Sequence, residues 1–177
     1  MYISACDADC ILQNRKGKLM IIQKDGFRFD VDIEATKAYY AGNTLCDCNE
    51  DRNFYAQARD QFPALTALLS EFGVSIDRPD EIGSTALEDE IDYHFVVYSV
   101  VGKIVETTGY EIDLFDGNMF LNLVISNRYF PNEQKTKEYF TIAIYNIKLP
   151  WILDETYPEI PKPTQSIFSK IKRIFKI

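Results

Sequence analysis

Residues 18–33 read KLMIIQKDGFRFDVDI, and this stretch decides the fold class. Two apolar runs flank Asp25-Gly26, a dipeptide typical of a type I′ turn because both central residues of that turn need a positive φ. From Phe27 to Ile33 apolar and polar residues alternate, so one face of the second run is buried and the other meets water. The stretch therefore predicts an antiparallel β-hairpin near the start of the domain.

Three short helices are predicted after the hairpin. Residues 34–41 have a helical pattern that ends at Gly42, the usual residue type just past a helix. A second helix is predicted to be capped by Asn49 or Asp51, both good N-cap residues. Pro63 suits the first turn of a third helix, whose apolar residues recur every three or four positions. The first half of the domain is thus predicted as a hairpin followed by a helical insert.

Strands return in the second half of the domain. The polar stretch 78–90 is predicted as a connection, and the apolar run 93–101 as a central strand. Gly102-Lys103 is predicted to turn the chain, with further strands expected at 104–107, 110–114, 119–125 and 138–147. Because short turns join these strands, the sheet should be mainly antiparallel. The expected fold is α+β, with the helical insert packed on one face of the sheet.

The charge limits the possible partners. The chain has 177 residues and a formal net charge of −8, which fits one acidic domain. Such a chain repels phosphate backbones, so general nucleic-acid binding is excluded, and it suits a basic protein partner. The first ten residues contain Cys6, Asp7 and Asp9 and have neither a basic start nor an apolar run, so no signal peptide is predicted. The expected location is cytoplasmic, where cysteines stay reduced.

A basic tail is predicted after the domain, with boundaries at 1–155 for the domain, 156–165 for a proline-rich linker and 166–177 for the tail. One helical stripe of the tail is apolar and consists of Ile167, Phe168, Ile171, Ile174 and Phe175. The rest of that helix is basic, through Lys170, Lys172, Arg173 and Lys176. Such an amphipathic helix can dock on its own domain or on another subunit, bind a partner, or make a peripheral contact with an anionic membrane.

Four cysteines are the candidate metal ligands. Cys6 and Cys10 are spaced C-x3-C, and Cys46 and Cys48 are spaced C-x-C. Four thiolates around zinc would form a tetrahedral structural site. The other interpretation is that these residues are small, buried, reduced cysteines. The C-x-x-C redox spacing is absent, which argues against thiol–disulfide catalysis.

The sequence shows no catalytic constellation. His94 is the only histidine, and its apolar strand pattern is typical of a hydrogen-bonded core or edge imidazole. No glycine-rich phosphate loop occurs. Acidic residues before the central strand could do acid–base work in a cleft but are more typical of a solvated connection; they are Glu81, Glu88, Asp89, Glu90 and Asp92. The protein is therefore predicted not to be an enzyme.

Three segments carry a resemblance to a known family. They are LCDCNEDRNF at 45–54, FGVSIDRPDE at 72–81 and IKLPWIL at 147–153. Together they resemble a family of small uncharacterised bacterial proteins, in which a C-x-C segment ends in Arg-Asn-Phe and a Pro-Trp follows the last strand. That family carries a third cysteine where this chain has Asp51. Its members are similar in size and acidity to immunity and accessory proteins encoded beside secreted toxins.

The preferred function is a non-enzymatic cytoplasmic protein-binding module. The resemblance implies an immunity-type inhibitor, whose acidic, tyrosine-rich surface meets a basic partner protein. Aromatic anchors would supply most of the affinity of such an interface. The alternative is a small zinc protein, with Cys6, Cys10, Cys46 and Cys48 as a structural site; no other cofactor is indicated.

Overall fold

The computed structural model describes residues 19–127 and 138–161, and in this part of the chain the fold is α+β. The helices are α1 (Ile33–Gly42), α2 (Asn49–Gln61) and α3 (Pro63–Glu71). The strands are β1 (Met20–Lys24), β2 (Phe27–Val31), β3 (Glu81–Ala86), β4 (Glu90–Thr107), β5 (Glu111–Asp116), β6 (Met119–Ser126), β7 (Tyr139–Tyr145) and β8 (Ile147–Pro150). The predicted fold class and its mainly antiparallel sheet are confirmed.

The sheet is organised around β4. The strand order is β1-β2-β4-β7-β6-β5, with β3 and β8 paired to β4 outside that path. All of these pairings are antiparallel, and β4 contacts β3 and β8 near its start, β7 in its middle and β2 near its end. The β5–β6 hairpin therefore lies at the opposite end of the sheet from β1. Among the described residues, no helix is both long and apolar enough to cross a membrane.

The first hairpin is confirmed in its turn as well as in its strands. Asp25 and Gly26 have φ values of 44° and 81°, as a type I′ turn requires. Strand β2 buries Phe27, Phe29 and Val31, while the residues between them are half-buried. Local turn chemistry and alternation were sufficient to fix this element.

The turn predicted at Gly102-Lys103 is wrong, because β4 runs through both residues. Gly102 has a φ of 152°, and a Cβ placed there would lie 2.2 Å from the carbonyl oxygen of Asp30. The glycine thus allows β2 to approach β4 closely instead of bending the chain. The connection predicted at 78–90 is also wrong over part of its length, since β3 occupies Glu81–Ala86.

The predicted strand 138–147 is divided in the structure. Strand β7 ends at Tyr145, and β8 begins at Ile147 after Asn146, whose φ is 68°. This left-handed residue redirects the chain, so β7 pairs with the middle of β4 and β8 with its start. Asparagine tolerates such a φ better than most residues do.

Helix α1 fills a gap along one edge of β4. Strands β2 and β3 pair with different parts of that edge and leave its middle without a strand. There the Tyr40 hydroxyl donates to the Ser99 carbonyl oxygen (3.0 Å) and accepts from the Ser99 N–H (2.8 Å). The Thr36 hydroxyl oxygen accepts from the Val101 N–H at 3.0 Å. Side chains thus supply the partners that buried backbone groups need.

Helix α3 is held to the sheet by contacts between aromatic rings and by the carboxylate of Asp116. The Phe29 ring lies 5.3 Å from that of Phe72 and 5.0 Å from that of Phe140. At the end of β5, Asp116 is buried and accepts the Leu65 N–H of α3 at 2.8 Å. This bond caps the first turn of α3, whose N–H groups have no partner within the helix. It also anchors the inner side of the β5–β6 hairpin.

Candidate functional sites

Two of the predicted cysteines lie in a cluster at the start of α2. The ligand atoms of Cys46, Cys48 and Asp51 all lie within 4.8 Å of one another. Cys46 and Cys48 are exposed and are not in a disulfide, whereas Asp51 is buried, at 7% exposure. The other predicted ligands, Cys6 and Cys10, lie outside the described residues, as does the tail from Ile167 to Lys176.

Helix α2 positions this cluster. Cys48 is the N-cap residue and Asp51 lies three positions further on, so both side chains belong to the first turn. The Cys48 N–H donates to the Cys46 sulfur at 3.4 Å, which turns Cys46 back towards the helix. The Tyr55 hydroxyl, one turn further along, donates to Asp51 Oδ2 at 3.4 Å. Because Cys48 and Asp51 are three positions apart at the start of α2, the Cys48 sulfur and the Asp51 carboxylate lie on the same side of the helix.

Burial and mutual contact shift the acidities in the cluster. Partial burial of its sulfur, contact with Cys46 and the nearby Asp51 carboxylate raise the pKa of the Cys48 thiol to about 12. Burial also raises the pKa of the Asp51 carboxyl, although the Tyr55 hydroxyl donates a hydrogen bond to it. Cys48 and Asp51 therefore both hold their protons more tightly than the free groups do.

The segment after the cysteines locks α2 to the end of the sheet. Asn53 is fully buried; its side-chain amide donates to the Tyr93 hydroxyl (3.2 Å) and to the Pro150 carbonyl (3.0 Å). Its side-chain oxygen accepts from the Ile152 N–H at 2.9 Å. The Arg52 guanidinium donates two bonds to the Glu155 carboxylate, at 2.7 and 2.8 Å. The Arg-Asn-Phe and Pro-Trp segments are thus in direct contact.

A second candidate site is the outer face of β5 and β6, on the side away from α3. We define this outer face by Glu111, Asp113, Phe115, Phe120, Asn122 and Tyr145. Phe115 and Phe120 are opposite each other across the two strands, with ring centroids 5.2 Å apart. They are 71% and 42% exposed. A pair of exposed phenylalanines with no protein covering them in the described chain is typical of an interaction surface.

The outer face is acidic as well as aromatic. The side-chain amide of Asn122 donates to the carboxylates of Glu111 (2.9 Å) and Asp113 (3.3 Å) and holds them on one side of the phenylalanine pair. No Lys or Arg occurs between Lys103 and Arg128. Within the described ranges, β5 is also an end strand of the sheet, since it pairs only with β6. An acidic, apolar surface therefore lies next to an unpaired strand edge.

The remaining candidates from the sequence have structural or solvated positions. His94 is exposed, and its Nε2 lies 2.6 Å from the Thr85 hydroxyl on β3, so it is an edge imidazole with a partner. The predicted acidic group is spread along the β3–β4 hairpin, with Glu88 and Asp89 exposed at its turn. Glu90 pairs with Lys148 at 2.9 Å.

Asp80 was not singled out by the sequence, and it forms the centre of a polar cluster beside α1. Its carboxylate accepts from the hydroxyls of Tyr39 and Tyr40, from the Asn43 amide at 3.2 Å and from the Ser99 N–H at 2.6 Å. Burial and the hydrogen bond to Asp80 raise the pKa of Tyr39 well above its usual range. All of these partners belong to α1, its end or β4, so the cluster fixes α1 to the sheet.

Asp51 was missed as a candidate ligand because one carboxylate is a weak signal in a chain with 27 acidic residues. The available signal was its spacing, since Cys48 and Asp51 are three residues apart at a predicted helix start and must share a face.

Comparison of the chain with family models, with curated proteins and with solved structures finds no match.

Proposed function

We propose that the protein is a cytoplasmic, non-enzymatic protein-binding module that holds a basic partner protein on the outer face of β5 and β6. In this respect it would act as an immunity-type inhibitor does. The observation that carries the proposal is the exposed pair of Phe115 and Phe120, with Glu111 and Asp113 beside it and no basic residue in that stretch of chain.

The aromatic pair supplies the affinity. Aromatic side chains are prominent among the few interface residues that carry most of the binding free energy. Phe115 and Phe120 already contact each other, so little side-chain entropy is lost when a partner covers them. Burying them removes apolar area from water, at roughly 25 cal/mol for each Å².

The carboxylates supply selectivity and speed of association. Glu111 and Asp113 are exposed and are held in place by Asn122. Acidic groups around an apolar centre attract a basic partner and repel acidic ones, mainly through the association rate. The unpaired edge of β5 offers backbone groups to which a partner strand can add. The partner is therefore expected to be a basic protein that presents an apolar residue and an extended segment.

The double variant Phe115→Ala/Phe120→Ala tests the aromatic pair. The tagged full chain is used to isolate a stoichiometric partner from the source cells, and the purified pair is then measured by calorimetry. We expect the double variant to weaken the affinity about 30-fold or more, because both anchors are lost. Ile21→Ala is the matched control, since Ile21 is 58% exposed at the opposite end of the sheet.

The charges give an independent measurement on the same pair. Glu111→Gln/Asp113→Asn should slow association and reduce its dependence on salt, with little change in the dissociation rate. The proposal is wrong if Phe115→Ala/Phe120→Ala binds the partner as tightly as the wild type does. It is also wrong if the stoichiometric partner is an acidic protein, or if no stoichiometric protein is recovered.

A further inference from the structure

We propose that Cys46, Cys48 and Asp51 form a binding site for one zinc ion, with the fourth coordination position open to solvent. The site lies at the start of α2 and is separate from the outer face of β5 and β6, so it does not depend on the proposed function. It also differs from a site of four cysteines, because a carboxylate of the folded domain is the third ligand.

The three side chains are the types that zinc prefers. Zinc is bound by cysteine sulfur at about 2.3 Å and by carboxylate oxygen at about 2.0–2.2 Å, in tetrahedral geometry. Two sulfurs bound in this way lie about 3.8 Å apart. The ligand atoms of Cys46, Cys48 and Asp51 are already within 4.8 Å of one another, so small side-chain rotations bring them to coordinating distance.

One side of the site is buried and the other is exposed, which fits three protein ligands and one open coordination position. Asp51 is buried behind the two sulfurs, while Cys46 and Cys48 are exposed on the solvent side. An ion bound between them would meet protein on one side and water on the other. Sites with three protein ligands usually take water as the fourth ligand.

Neighbouring groups orient each ligand. The Cys48 N–H donates to the Cys46 sulfur, a contact that stabilises a thiolate. The Tyr55 hydroxyl donates to the Asp51 carboxylate, and a hydrogen bond of this kind fixes a metal-bound carboxylate. Behind them, Asn53 holds the first turn of α2 to the end of the sheet. Asp51 therefore projects from a helix that is held to the sheet, and Cys46 and Cys48 lie directly before that helix.

Within the part of the chain that the structure describes, Arg52 is the basic residue next to the ligands in sequence, and it is engaged in ion pairs of its own. Arg52 follows Asp51 in the chain, and its guanidinium donates twice to Glu155. Its Nε lies 3.5 Å from the Asp47 carboxylate, which is 95% exposed. The Arg52 charge is thus paired mainly with Glu155, through both carboxylate oxygens.

The test uses the reduced full-length chain, stripped of metal and titrated with Co²⁺ and then with Zn²⁺. We expect one ion per chain by native mass spectrometry and a thiolate-to-cobalt charge-transfer absorption. Cys46→Ser, Cys48→Ser and Asp51→Asn should each weaken zinc binding about 100-fold or more, since each removes one ligand. Asp47→Asn and Cys6→Ser/Cys10→Ser are the matched controls and should keep the wild-type affinity.

Three results would overturn the assignment. One is a wild-type chain that binds neither ion with a thiolate absorption. Another is zinc binding that is lost in Cys6→Ser/Cys10→Ser but retained in Asp51→Asn, which would place the ion among four cysteines. The third is an equal loss in Asp47→Asn and Asp51→Asn, which would indicate attraction by charge alone. If Asp51→Asn fails to fold, Asp51→Glu and the exposed Cys46→Ser carry the test, with native circular dichroism as the check.

Discussion

Gly102→Ala is expected to lower the free energy of unfolding by about 4 kcal/mol. The added Cβ would lie 2.2 Å from the Asp30 carbonyl oxygen and 3.0 Å from the Val31 Cα. Both are backbone atoms of β2, so they cannot rotate away as the end of a side chain would. The variant must separate β2 from β4, and the φ of 152° adds strain for any residue with a side chain.

Equilibrium unfolding in urea, followed by far-UV circular dichroism, measures this effect. Gly109→Ala is the matched control, because no atom lies within 4 Å of a Cβ placed there. Its free energy of unfolding should stay within about 1 kcal/mol of the wild type. Equal stability of Gly102→Ala and Gly109→Ala would show that Asp30 of β2 does not lie against Gly102 of β4.

Asn53→Leu is expected to lower the free energy of unfolding by about 3 kcal/mol. Leucine has a similar volume but loses the hydrogen bonds to Tyr93, Pro150 and Ile152. The Ile152 N–H is then left without this acceptor in a partly buried position, which costs about 1–3 kcal/mol by itself. Packing alone cannot compensate, because the lost bonds join α2 to β4, to the end of β8 and to the chain just beyond it.

The fluorescence of Trp151 reports directly on whether the segment after β8 separates from α2. It is the single tryptophan of the protein; its indole N–H donates to the Glu155 carbonyl at 3.2 Å and its ring lies 5.6 Å from that of Tyr157. In Asn53→Leu the Trp151 emission should shift to longer wavelength below the main unfolding transition. Asn122→Leu is the control, since Asn122 bonds only exposed carboxylates. If the Trp151 emission of both variants changes only in the main unfolding transition, as in the wild type, Asn53 does not hold the two segments together.

Several elements could be predicted because their signals are local. The Asp25-Gly26 turn depends on the φ preferences of two neighbouring residues, and the structure has both in the positive region. Helix α3 begins at Pro63, where the proline indicated a start. Helix α2 was expected in the right place, but its N-cap residue is Cys48 rather than Asn49 or Asp51. The predictions for Cys6, Cys10 and the tail 166–177 lie outside the described residues and stay predictions.

Other elements depend on contacts between distant parts of the chain. Strand β3 reads EIGSTA, a half-exposed segment with little apolar character, and it is a strand because its backbone pairs with β4. Gly102 resembles a turn glycine in the sequence, but the close approach of β2 gives it a different role. Which residues of β5 and β6 face outward follows from α3 covering their other side through Asp116 and Leu65.

The sequence by itself determined the α+β class, the first hairpin and the start of α3 at Pro63. Turn residues, caps and hydrophobic periodicity act within a few positions of the chain, so they are visible without a structure. Only the tertiary structure decided that Asp51 joins Cys46 and Cys48 as a buried neighbour, and that Phe115 and Phe120 are left exposed together. The physical reason is that burial and ligand geometry depend on which distant segments pack against each residue, and no local pattern specifies that.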